Sequence, residues 1–74
     1  MNHQTESPRP VAFNDTVLTP NGIGTCDGYT RDGRVIVRHA VAALPQPLVA
    51  GELRTRLAGL SCQITYLKEE VQPK

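Results

Sequence analysis

The run Ile23-Gly24-Thr25-Cys26-Asp27-Gly28-Tyr29-Thr30-Arg31-Asp32-Gly33-Arg34-Val35-Ile36-Val37-Arg38-His39 sets two β-like segments on either side of Asp32-Gly33. Asp-Gly favours the centre of a two-residue type I′ hairpin turn. Val35-Ile36-Val37 is a β-branched stretch that suits a strand. With Gly22, Gly24 and Gly28 in the first segment, a helix is disfavoured, each glycine costing about 1 kcal/mol against alanine. Repeated glycine in a strand marks bends, bulges or close backbone approach, so a tightly curled strand is expected.

A two-residue turn fixes the register by arithmetic. Arg31 faces Arg34, Thr30 faces Val35, Tyr29 faces Ile36, Gly28 faces Val37, Asp27 faces Arg38 and Cys26 faces His39. Directly paired residues share a face and neighbours alternate. One face then carries Gly24, Cys26, Gly28, Thr30, Val35, Val37 and His39, small and apolar enough for the interior. The other carries Thr25, Asp27, Tyr29, Arg31, Arg34, Ile36 and Arg38 and reads as exposed. A bulge at Gly28 would shift the downstream register by one and exchange the faces.

Upstream, Asp15-Thr16-Val17-Leu18-Thr19 alternates like a strand and stops at the turn cluster Pro20-Asn21-Gly22. Residues 1–12 are polar, with Pro8 and Pro10, and read as a disordered tail before a single domain over 13–74. The tail has no apolar core of a secretory signal, and no apolar run approaches the roughly 20 residues that cross a membrane. A cytoplasmic protein with reduced Cys26 and Cys62 is the expectation.

Downstream, Pro45 and Pro47 open an insert at about 40–60. Leu53, Leu57 and Leu60 repeat at the spacing of one helical face, which predicts a short helix near Gly51–Ala58 ending at Gly59, with a flexible loop as the rival. Ser61-Cys62-Gln63-Ile64-Thr65-Tyr66-Leu67 reads as a strand with Cys62, Ile64 and Tyr66 on one face. Lys68-Glu69-Glu70-Val71 reads as a single helical or 3₁₀ turn.

A chain of 74 residues holds one domain, and one this small buries only about 60% of its unfolded surface. The net charge is +1 and the aromatics are Phe13, Tyr29 and Tyr66, which speaks against non-specific phosphate binding as the default. Cys26, His39 and Cys62 supply three ligands where a structural zinc takes four. Buried cysteine as a small hydrophobe is the simpler reading. A Cys–His nucleophile would need an orienting group and an open cleft. Gly22-Ile23-Gly24 lacks the helix and lysine of a phosphate loop. No catalytic residue, metal or cofactor is expected.

This succession of parts resembles the SH3-like small barrels, among them KOW, Tudor-like and CarD-type domains, from Asn14 to Val71 with the insert interrupting. A Val-x-x-Pro-x-Gly-x-Gly opening precedes the curled second strand in such domains, and Val17–Gly24 looks like it. The resemblance implies a mainly-β antiparallel barrel whose function lies in a grafted site. Cys62-Gln63-Ile64-Thr65 is also similar to the Val-Gln-Ile-Tyr stretch of type II, plasmid-borne dihydrofolate reductases. Here Cys62 and Thr65 replace the valine and tyrosine, and no lysine lies in the central body. That likeness would imply a homotetramer with a central pore.

The expected function is a non-enzymatic interaction module that docks on a protein partner, or on a second copy, through Tyr29, Arg31, Arg34, Ile36 and Arg38, with the insert at about 40–60 contributing. Aromatic and arginine side chains are enriched at binding hot spots. Nucleic acid is the alternative partner for the same residues, and the pore-type reductase is a third reading.

Overall fold

The computed structural model describes residues 10–74. Six antiparallel strands form one sheet: β1 (Thr16–Thr19), β2 (Gly22–Tyr29), β3 (Val35–Ala40), β4 (Glu52–Arg56), β5 (Ser61–Tyr66) and β6 (Gln72–Pro73). The spatial order is β4-β5-β3-β2-β1-β6. Single 3₁₀ turns occupy Val41–Ala43 and Lys68–Glu70. Strand β2 is shared along its length, with Gly22–Thr25 pairing β1 and Thr25–Tyr29 pairing β3. A strand divided between two partners has to bend. Gly24 allows this, because a Cβ there would strike the Val37 side chain and sit 2.9 Å from the Arg38 carbonyl oxygen.

The curl brings one face of the sheet around a core of Val11, Val17, Cys26, Val35, Val37, Cys62, Ile64, Tyr66 and Val71. Both cysteines are buried and free. The alternation of β5 is as expected, with Cys62, Ile64 and Tyr66 pointing inward. Val11 belongs to this core, and its carbonyl accepts a 2.7 Å hydrogen bond from the Tyr29 hydroxyl. Chain that the sequence assigns to the tail is thus anchored in the core at Val11, while residues 1–9 of that expectation lie outside the described residues.

The hairpin exists but its turn is different. The Gly33 amide bonds the Thr30 carbonyl at 3.1 Å and the Thr30 amide bonds the Arg34 carbonyl at 2.9 Å. Gly33 has φ +89°. This is a three-residue loop, a type I turn closed by a left-handed glycine. The Thr30 hydroxyl favours it by bonding the Asp32 carboxylate and accepting the Arg34 amide at 3.0 Å. That hydroxyl, with the Arg34 charge a weaker influence, holds the Asp32 carboxyl below its ordinary range.

The register moves accordingly. Tyr29 pairs with Val35 and Gly28 with Ile36, and a bulge between Cys26 and Gly28 then sets Cys26 against Val37 and Thr25 against Arg38. The two irregularities act in succession. The longer loop turns Tyr29 to the Val35 face, and the bulge returns Cys26 to the interior.

The helix expected over Gly51–Ala58 is instead strand β4, paired to β5 through Glu52↔Thr65 and Leu53↔Ile64, then Thr55↔Gln63 and Arg56↔Cys62 past a bulge at Arg54. Gly51 and Gly59, at φ +75° and +81°, bracket the strand and end any helical run. Among the described residues no helix is long and apolar enough to cross a membrane.

Candidate functional site

The five residues expected to form one docking face are dispersed. Tyr29 is half-exposed on the Val35 face, with its hydroxyl tied to Val11. Ile36 is only 7% exposed, on the opposite side of the sheet from the core. The expected Tyr29–Ile36 pair is therefore replaced by two separate contacts on two faces, which removes the apolar centre of that arrangement. Arg31 stands exposed at the loop tip.

What remains on the outer face is a polar lattice over Ile36 and Thr65. Arg38 pairs with Asp27 at 3.7 Å across the bulge, although its direct partner in the register is Thr25. Arg34 approaches Asp32 at 3.5 Å and Glu52 at 3.9 Å. The Gln63 amide donates to Asp27 at 3.0 Å and its oxygen accepts from Arg54 at 3.0 Å. Of the two residues that match the reductase stretch, Gln63 thus sits in this lattice and Ile64 in the core.

Behind the sheet lies a second group of polar side chains. His39 is buried, with Nδ1 at 3.0 Å from the Ile23 carbonyl oxygen and Nε2 at 2.7 Å from the Tyr66 hydroxyl. A carbonyl only accepts, so Nδ1 carries the proton and Tyr66 donates to Nε2. The Tyr66 oxygen in turn accepts from the Asn21 amide at 2.8 Å. The other Asn21 amide hydrogen goes to the Ala50 carbonyl at 2.8 Å, and Asn21 Oδ1 accepts the Val49 amide at 2.7 Å. Burial lowers the pKa of His39 and raises that of Tyr66, so both are neutral near pH 7. Both ring nitrogens are occupied, and among the described residues no three His, Cys, Asp or Glu side chains converge as a metal set. This knot fastens the 44–51 segment to the sheet.

The fastened segment creates a concave surface with an apolar lining. A groove of about 250 Å³ runs between Leu44, Pro45, Pro47 and Leu48 on one side and Leu53 and Ile64 on the other. Leu53 is 49% exposed beside it, with Val49 at 68% and Leu60 at 78% nearby in the chain. Strand β4 ends the strand order, so its far backbone edge pairs with nothing among the described residues. Exposed edges are usually blunted with charge. Here Glu52, Arg54 and Arg56 provide the charge while Leu53 is left open between them.

Sequence reasoning includes the 40–60 insert in the docking surface but misses this strand edge, because leucine spacing suggests a helix. The signal that could have found it is the alternation Glu52-Leu53-Arg54-Thr55-Arg56 between two glycines, which is the pattern of a guarded edge strand. A second groove, of about 370 Å³, lies between Val11, Tyr29, Val35, Val71 and the Lys68–Glu69 turn. Comparison with known proteins found no matching family model, no match among curated proteins and none among solved structures.

Proposed function

We propose that this chain is a non-enzymatic protein-docking module that offers the open edge of β4, and the apolar groove beside it, to an extended backbone. The observation that carries the reading is the conjunction of a strand edge unpaired among the described residues with a half-exposed Leu53 above a groove. Main-chain hydrogen bonds along an edge supply affinity, and pockets for alternate side chains supply selectivity. The hairpin arginines become part of the polar rim, since Arg34 reaches Glu52 at the start of β4. The SH3-like likeness agrees with the divided, curled β2 and with the 3₁₀ turn before the last strand.

The arrangement favours protein over nucleic acid. Arg34, Arg38 and Arg54 already hold partners, and Tyr29 lies on the other face of the sheet from Ile36, Arg34 and Arg38. Selection of a displayed library of extended peptides on the purified protein tests the reading. Binders that lose affinity when Leu53→Asp is introduced are the expected outcome. A selection that yields no Leu53-dependent binder overturns it. Anisotropy of short labelled DNA and RNA at low and physiological salt, with Arg38→Ala as control, checks the nucleic-acid alternative. Steeply salt-dependent binding lost in that variant would put it first.

A further inference from the structure

Resting on that docking surface, we infer that its occupant is a second copy of this chain, joined β4 to β4 in antiparallel register about a two-fold axis through Leu53. The argument is one of charge and face. In an isologous antiparallel pair each residue meets the counterpart equally far from the axis on the other copy, and directly opposed residues share a face. With the axis at Leu53, Leu53 meets Leu53 and Glu52 meets Arg54, twice by symmetry.

The faces agree. Glu52 is set against Thr65, and Arg54 reaches Gln63, so both belong to the outer side of the sheet, while Leu53 is set against Ile64 on the groove side. Other centres fail. An axis at Arg54 puts two guanidinium groups in opposition, and it pairs Glu52 with Arg56, which lies on the other face against Cys62. An axis at Thr55 opposes Arg54 to Arg56. The Leu53 register alone matches opposite charges on one face and joins leucine to leucine on the other. The side chains that guard the edge against other strands are thereby the ones that admit this strand. A chain of 74 residues gains from such an addition to its small core.

The register predicts an exchange that ordinary stickiness does not. Glu52→Arg alone sets arginine against arginine at both positions, and Arg54→Glu alone sets glutamate against glutamate. Mixed in equal amounts, the two variants restore both opposite-charge pairs in the heterodimer. Sedimentation equilibrium over micromolar to millimolar concentrations should show a wild-type dimer. Each single variant should associate roughly tenfold more weakly, and the mixture should return to near wild-type association. Circular dichroism of each variant verifies the fold, both sites being exposed. A wild type monomeric throughout overturns the inference, as does a mixture no better associated than its components. If Leu53-dependent peptides still bind such a monomer, the docking surface stands and only its occupant is wrong. If they do not, both fall.

Discussion

At the scale of single residues, the Tyr66 hydroxyl is the hinge of the buried polar knot. It donates to His39 and accepts from Asn21 within a side chain that is 1% exposed. Tyr66→Phe keeps the ring but strands an imidazole nitrogen and an amide hydrogen out of reach of water. The expected loss is about 1–3 kcal/mol by urea unfolding. His39 also makes the fold acid-sensitive. Its folded pKa is depressed, chiefly by burial, below the 6.5 of the unfolded chain. The unfolded state therefore binds more protons as pH falls below 6.5. Stability should be fully present above that value, decline as the pH drops towards the folded pKa, and level off below it. Unfolding midpoints measured in steps from pH 7.5 downward, beside His39→Gln, should show the decline flattened in the variant. Gly51 makes a third residue-level test. A Cβ there would lie 2.7 Å from Ile64 Cγ2 and 2.7 Å from the Thr65 carbonyl oxygen, at a φ of +75°. Gly51→Ala should cost about 1–3 kcal/mol, with the amide spectrum disturbed along β4 and β5.

At the scale of elements, the 44–51 segment is held by Asn21 more than by its own backbone. Asn21→Ala removes three side-chain bonds, to Val49, Ala50 and Tyr66. The Val49 amide should exchange with solvent at least tenfold faster in this variant, while the Val37 amide at the centre of β3 keeps its protection. The strands were legible wherever local chemistry decided them. β-branched Val35–Val37 and the alternation of Cys62, Ile64 and Tyr66 could hardly be anything else. The hairpin was legible as a hairpin, but not its register. The choice between a two- and a three-residue loop rested on the Thr30 hydroxyl, and the bulge that Gly28 signals falls on Asp27 beside it. Strand β4 was illegible for a different reason. Three leucines at helical spacing carry information only if one face buries them, and Leu53 and Leu60 are open to solvent. The ladder to β5 won because it pairs one whole edge of the strand, while Gly51 and Gly59 at positive φ close off a helix at either end. The docking site followed β4 out of sight, and the hairpin site lost its centre when Tyr29 and Ile36 separated.

At the scale of the whole molecule, one curled sheet encloses a core of mostly small side chains, with Tyr66 and Ile64 the largest of those fully buried. Such a domain stands close to its stability limit, and a change of 1 kcal/mol should move the melting temperature by roughly 4–8 °C. Self-association through β4 would make that temperature rise with protein concentration. Scans of wild type at increasing concentration should show the rise, and Leu53→Asp should melt at one temperature throughout. The polar knot has a consequence for the order of events in folding. Its bonds join residues far apart in sequence, Asn21 to Tyr66 across 45 positions and His39 to Tyr66 across 27. The hairpin closes over only a few residues. Loop closure makes distant contacts slow to form, so the hairpin belongs to the transition state and the knot to the descent after it. Substitutions at Asn21 should then leave the folding arm of the chevron almost unmoved and raise the unfolding arm, with φ-values near zero. Asn21 acts as a latch set last, governing how long the native molecule persists more than how quickly it forms.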